Sequence, residues 1–154
     1  AFLLWYFRRF ASYRDIVPND VHHWLSDKRL ITQNIDGLDG KAGNGTYIPI
    51  HGRLDKVTVL HQQGETVDLL DARWEQVVSQ CPDIEDDEAV KKALLDAFRI
   101  SKISLIPELG HSLKPFVLLF DEYYTDLYRM NMAENWMQQS TRFVFMGTSF
   151  SFNI

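Results

Sequence analysis

Apolar side chains crowd the start of the chain. Phe2, Leu3, Leu4, Trp5, Tyr6, Phe7 and Phe10 are broken only by Arg8 and Arg9. So dense a run predicts a helix buried on most sides, with the two arginines at its exposed or ligand-facing edge. Val21, Trp24 and Leu25 then recur at helical spacing behind Pro18, Asn19 and Asp20, which suit a first turn, and predict a second helix over about 18–26. Leu30 and Ile31 end a run that predicts a short buried strand, and 48–50 predicts another. Beyond these, 57–60 and 66–69 predict a hairpin around Gln62-Gln63-Gly64-Glu65. Residues 71–80, with Trp74, Val77 and Val78, predict a helix stopped before Pro82.

The last third predicts a strand, a helix and a strand. Gly110 and Pro115 bracket a turn, and 116–120 is a continuous apolar run suited to a buried strand. Over 122–140, Tyr123, Leu127, Met130, Met132 or Ala133, and Trp136 or Met137 recur at helical intervals and predict a crossover helix; 143–146 predicts the next parallel strand. Such a unit places the turn at Gly147, Thr148 and Ser149 on the carboxyl edge of a parallel sheet, where nucleotides sit. The fold class expected is therefore α/β.

Composition narrows the function. With 154 residues, 45% of them hydrophobic and 24% charged, the chain has the make-up of globular protein and enough apolar residues for a core. A net charge of −5 argues against nucleic-acid binding and against attraction to an anionic membrane. The apolar start is far shorter than the roughly 20 residues that span a bilayer. One cysteine, Cys81, cannot form an internal disulfide, so a reducing, cytoplasmic compartment is expected. The acidic run Asp83, Glu85, Asp86, Asp87 and Glu88 lacks calcium-loop spacing. It reads better as carboxylates offsetting the dipole of an amphipathic helix that continues over 89–98.

Candidate chemistry concentrates in residues 31–52. Thr32, Gln33, Asn34, Asp36 and His51 lie between or beside two apolar runs, with Gly37, Gly40, Gly43 and Gly45 allowing tight turns. A strand that ends in such a cluster delivers it to a crevice, and a histidine at the end of a strand is a candidate general base. The plainer alternative is a glycine-rich loop whose Asn and Asp form turns.

Taken together, Thr32-Gln33-Asn34-Ile35-Asp36, Leu38, Ala42-Gly43 and His51-Gly52 resemble the signature of the sirtuins, the NAD-dependent protein lysine deacylases. Pro18-Asn19 and His22 fit the helix start before that signature. Lys114-Pro115-Phe116-Val117 and Phe120-Asp121-Glu122 resemble the family's Arg-Pro-x-Val and Phe-Gly-Glu segments, with Asp121 replacing the glycine. Met146-Gly147-Thr148-Ser149-Phe150 resembles its Gly-Thr-Ser element. The similarity covers about 2–60 and 112–154.

The resemblance implies a Rossmann-like parallel sheet with helices on both faces, and NAD as cofactor. It implies a reaction in which the carbonyl oxygen of an acyl-lysine attacks the carbon joining ribose to nicotinamide, so that the acyl group ends on ADP-ribose. Asp36 with the Ile35 backbone would hold the carboxamide, Gln33 and Asn34 would position ribose and water, and His51 would be the base. Gly147, Thr148 and Ser149 would meet the adenosine side. Phe120, Asp121 and Glu122 would flank an acyl-lysine protein or peptide, which pairs there as an added strand. Tyr6 and Arg9, three apart on a helix, resemble the Tyr-x-x-Arg pair of sirtuins that remove succinyl or malonyl groups. The competing reading makes Tyr6 core and Arg9 a solvated charge.

Residues 53–112 depart from the family. Many sirtuins hold a structural zinc here with two Cys-x-x-Cys pairs; Cys81, His61, His22 and His23 lack that pairing, so no structural zinc is expected. A helical insert with its own small core is expected in its place. Both ends look cut, and the family's Gly-Ala-Gly-x-Ser phosphate loop has no glycine-rich substitute before Trp5. The expectation is a partial domain, 1–154, that does not complete an NAD site alone. Two further alternatives stay open: a sirtuin-like NAD hydrolase, and a non-catalytic module that binds ADP-ribose or peptide.

Overall fold

The computed structural model of the chain describes residues 1–149. The aromatic start forms α1 (Phe2–Tyr13), with Tyr6 and Phe7 buried, and α2 (Asp20–Trp24) follows. Asn19 caps α2: its side chain accepts hydrogen bonds from the Val21 and His22 backbone, while its own N–H donates to His22 Nδ1 at 3.2 Å. This reciprocal pairing satisfies donors that a helix start leaves open.

Two short strands, β1 (Ile31–Thr32) and β2 (Ile48–Pro49), pair in parallel, Ile31 opposite Ile48. The one-turn helix α3 (Leu38–Lys41) lies between them, after Gly37 at φ +75°. A second sheet is antiparallel, with β3 (Gly52–Val59) between β4 (Leu70–Asp71) and β5 (Leu113–Val117). Where β3 starts beside β5, Gly52 has φ +88°, and a Cβ there would lie 2.1 Å from the Phe116 carbonyl oxygen. Only glycine fits both demands. Helices α4 (Trp74–Gln80) and α5 (Asp87–Ala97) precede β5, and α6 (Met130–Gln139) follows a 3-10 turn at Asp126–Tyr128.

The main core is centred on Trp74, packed by Phe7, Phe10 and Phe98, with its indole N–H donating to the Leu54 carbonyl at 2.7 Å. It joins Tyr6 and Phe7 of α1, Leu54 and Val57 of β3, Val77 of α4, Val90 and Leu94 of α5, and Leu113 and Val117 of β5. Residues 53–112 therefore do not bury a private core, as expected above, but share one with α1 and β5. A smaller cluster of Ile48, Ile50 and Ala133 backs the parallel pair onto α6.

Several expected elements differ. In the hairpin, β3 pairs with Leu70 and Asp71 rather than with 66–69, and Lys56 forms an ion pair with Asp71 at that register. The helix placed at 71–80 consequently starts at Trp74. The strand placed at 116–120 is β5, which runs antiparallel to β3 and ends at Val117, leaving Phe120 98% exposed. The helix placed at 122–140 begins only at Met130, because Glu122 turns back to accept from the Leu119 N–H and Arg129 adopts a left-handed φ of +55°. No strand forms at 143–146, where Phe143, Val144, Phe145 and Met146 are exposed. Backbone without a neighbouring strand has no ladder to join, so the expected βαβ unit is not present among the described residues. The parallel sheet there consists of the β1–β2 pair, within a mixed α/β arrangement. Phe150 lies outside the described residues.

Candidate functional site

Parallel pairing of β1 with β2 builds the site. Ile48 N–H donates to the Leu30 carbonyl at 2.9 Å and Ile50 N–H to Thr32 at 3.0 Å, so both strands end side by side. The chain leaving β1 carries Gln33, Asn34, Ile35 and Asp36; the chain leaving β2 carries His51. Leu54 N–H then donates to the Ile35 carbonyl at 2.8 Å, and Leu118 N–H to the His51 carbonyl at 3.0 Å. Both backbones are thus fixed.

His51 is half-buried beside the Gln33 backbone. Burial lowers its pKa below the ordinary 6.5, and the interaction with that backbone opposes the shift without reversing it. Burial thus favours the neutral ring, the form that can accept a proton. Asn34 is exposed at the head of the loop, its N–H held by Thr32 Oγ1 at 3.1 Å, while Ile35 packs against the main core.

Asp36 has two attachments. One carboxylate oxygen accepts from the Leu38 N–H at 2.9 Å, closing an Asx-type turn that leads into α3, and the residue also lines a cleft of about 420 Å³. Phe10, Tyr13 and Arg14 of the α1 end, with Gly37, Gly40, Lys41 and Arg53, form other parts of its wall. Gln33, Asn34 and His51 are not among its lining residues. The loop and the imidazole are neighbours, then, and Asp36 is the member of the loop that also lines the cleft.

Two residues that support this arrangement escaped the sequence reading. Asn44 is 2% exposed: its amide donates to the Leu25 and Lys28 carbonyls at 2.9 and 3.1 Å and its oxygen accepts from Thr46 N–H at 3.1 Å. Flanked by Gly43 and Gly45, it carries only the signal of a turn. Arg129 donates from one guanidinium nitrogen to the Thr46 and Tyr47 carbonyls at 2.9 and 3.0 Å, tying α6 to the approach of β2. Nothing in its sequence surroundings marks it.

Of the outlying candidates, Tyr6 is buried and Arg9 partly buried on the same helix. The Arg9 guanidinium lies 3.9 Å above the Trp5 ring, and its buried Nε has no hydrogen-bond partner. Burial raises the Tyr6 pKa, the Glu122 charge adds to that, and Arg9 lowers it. Phe120 and Asp121 are exposed beyond β5, and Glu122 pairs with Lys114. Gly147, Thr148 and Ser149 are exposed outside any helix or strand, with Gly147 at φ +62°. Among the described residues no group of His, Cys, Asp and Glu has a metal-holding arrangement, and no helix is long and apolar enough to cross a membrane.

Comparison with known proteins gives the family. The profile of the Sir2 family matches residues 2–153. The NAD-dependent deacetylase sir2E of Dictyostelium discoideum is 27% identical over 93% of this chain and 43% of its own length. NAD-dependent protein deacetylase 2 of Bradyrhizobium diazoefficiens is 33% identical over 75% of this chain and 45% of its own. An NAD-dependent protein deacylase of Bdellovibrio bacteriovorus is 35% identical over 47% of this chain and 35% of its own. The chain spans less than half the length of these relatives. With a family match over nearly its whole length, the chain belongs to the Sir2 family, the sirtuins.

Proposed function

We propose that this chain carries the nicotinamide-riboside part of an NAD-dependent protein lysine deacylase of Rossmann-like fold, with 53–112 in the position of the zinc module. The observation that carries the reading is the parallel pairing of β1 with β2, which sets the loop Gln33, Asn34, Ile35 and Asp36 beside His51. The relatives' names, deacetylases and deacylases that depend on NAD, support it.

The donor set fits the group. A carboxamide needs a carboxylate and backbone partners, which Asp36 and Ile35 offer; ribose hydroxyls need amides and a base, which Gln33, Asn34 and His51 offer. When bound, NAD supplies the ribose carbon to which the acyl oxygen adds as nicotinamide departs. Asp36 orients the carboxamide, while Gln33 and Asn34 position the ribose and a water. His51 takes a hydroxyl proton on its ring, as its lowered pKa permits at pH 7. Gly147, Thr148 and Ser149 serve the adenosine side, and Phe120, Asp121 and Glu122 border the peptide. A buried, single Cys81 fits a reducing, cytoplasmic setting.

Acidic acyl groups are the favoured substrates in this reading. An unpartnered, buried Arg9 Nε beside Tyr6 supports it, since a guanidinium left with an open donor is satisfied by a carboxylate. The test is nicotinamide release from NAD with acetyl-lysine peptide, with succinyl-lysine peptide and with none. Release that requires peptide and is faster with succinyl-lysine is expected. Equal rates for the two peptides would remove the acyl preference, and release without peptide would make the protein an NAD hydrolase instead.

A further inference from the structure

The loop between α5 and β5 shows aliphatic side chains to solvent from a fixed backbone. Ile103 is 97% exposed, so it stands at a convex tip, and Leu105, Ile106 and Leu109 are exposed beside it. Arg99 and Leu105 take left-handed φ values of +55° and +56°, a conformation bulky residues rarely adopt. Ser112, fully buried, closes the base: its hydroxyl donates to the Arg99 carbonyl and accepts from the Glu108 N–H, both at 2.9 Å. Gly110 N–H ties the same base to the Leu60 carbonyl, just past β3, at 2.8 Å.

Inside this loop the backbone donors are satisfied locally. Ser101 Oγ accepts from the Ile103 and Ser104 N–H groups at 3.2 and 3.3 Å, the Ser101 carbonyl accepts from Leu105 at 2.9 Å, and Ser104 Oγ accepts from Ile106 at 3.4 Å. Pro107 has no N–H, and Glu108 donates to Ser112. Every main-chain N–H from Ile103 to Glu108 therefore has an acceptor within the loop, while the aliphatic side chains point away from the protein. Water would serve those donors equally well. Hydrocarbon would not, and a segment entering it has to bring its own acceptors.

A cleft of about 280 Å³ lies at the loop base. On its walls Asp96 is held by Lys102 at 2.7 Å, whereas the side chains of Arg99, Glu108 and His111 make no hydrogen bond or ion pair among the described residues. Open N–H donors from Arg99 and His111, beside an open carboxylate from Glu108, match a headgroup that carries both a phosphate and an ammonium. The chain's net charge of −5 disfavours an anionic surface but does not oppose one without net charge. The tip also lacks the aromatic anchors in which protein interfaces concentrate their binding energy. We propose that this loop docks the protein on a zwitterionic phospholipid surface: Ile103, Leu105 and Ile106 enter the acyl boundary, and Arg99, Glu108 and His111 take the headgroup.

Ile103→Ser and Ile106→Ser test the docking without disturbing the core, because both side chains are exposed. The full chain is mixed with vesicles of phosphatidylcholine and phosphatidylethanolamine, and the bound fraction is read by flotation over a range of lipid concentrations. Wild type is expected to bind, and each serine variant to bind about tenfold more weakly, the loss of one buried aliphatic side chain. Thermal midpoints should not move. Glu108→Gln should weaken binding about threefold, the weight of an exposed charge pair. No binding by wild type, binding that appears only when phosphatidylserine is added, or undiminished binding by Ile103→Ser would each overturn the proposal. A concentration-dependent dimer in sedimentation velocity that Ile103→Ser abolishes, with no vesicle binding, would assign the loop to a second copy of the chain instead.

Discussion

Asn44 carries more structure than its turn-like surroundings suggest. With its amide and its oxygen bonded to three separate backbone groups in a 2% exposed position, it locks the end of α2 to the segment that leads into β2. Removing it loses all three bonds at once, although the Leu25 carbonyl keeps its bond from the Lys28 N–H, and each lost bond contributes about 0.5–1.5 kcal/mol. Asn44→Ala should lower stability by about 2–4 kcal/mol, read as a fall in the urea midpoint at unchanged slope. His51 makes a different kind of contribution. Its folded pKa is below the ordinary 6.5, so in the window below about 6.5 the unfolded chain binds more protons. The stability associated with a neutral His51 is present above that value and is lost as pH falls through the window. Unfolding midpoints measured from pH 7.5 down to pH 5 should fall less steeply in His51→Gln than in wild type; parallel profiles would remove the assigned shift.

At the level of elements, what could be read in the chain was whatever rests on local signals. The helices α1, α2 and α5 follow from apolar spacing and start residues, and the acidic run before α5 has a plain structural use. The Asp86 side chain accepts from the Glu88 and Ala89 N–H groups at 2.9 and 3.2 Å, while Arg8 of α1 holds Asp87 at 2.7 Å. Asp86→Ala should cost about 1 kcal/mol in thermal unfolding, the usual loss of a helix cap, and no metal dependence should accompany it. Strands were less legible because an apolar run does not state its partner. Residues 66–69 and 143–146 have strand composition, but the ladder is set by neighbours: Lys56 with Asp71 and Ala72 N–H with the Asp55 carbonyl fix β4 later than alternation suggests. The helix expected from 122 was shortened by bonds to residues outside it, Glu122 to Lys114 and Arg129 to Thr46 and Tyr47, which no periodicity encodes.

Across the whole molecule, two packed clusters hold the candidate site from opposite sides. The Trp74 core fixes β3 and β5, and with them the chain following His51; the smaller Ile48, Ile50 and Ala133 cluster fixes β2. The motif residues Gln33, Asn34, Asp36 and His51 stand out in the sequence because their chemistry is unusual for a loop. The groups that tie down the surrounding chain do not, since Asn44 and Arg129 act through contacts 16 to 83 positions apart. Asp36 remains the sharpest point of the account, because it both closes the turn into α3 and is assigned the carboxamide. Asp36→Asn separates the two duties: asparagine forms the same side-chain turn as aspartate, so the fold should persist while the carboxylate is lost. Nicotinamide release from NAD in the presence of acyl-lysine peptide should fall by at least about a hundredfold, with the melting temperature unchanged within about 2 °C. Release at the wild-type rate from a folded Asp36→Asn protein would contradict the assignment and reduce Asp36 to a turn former.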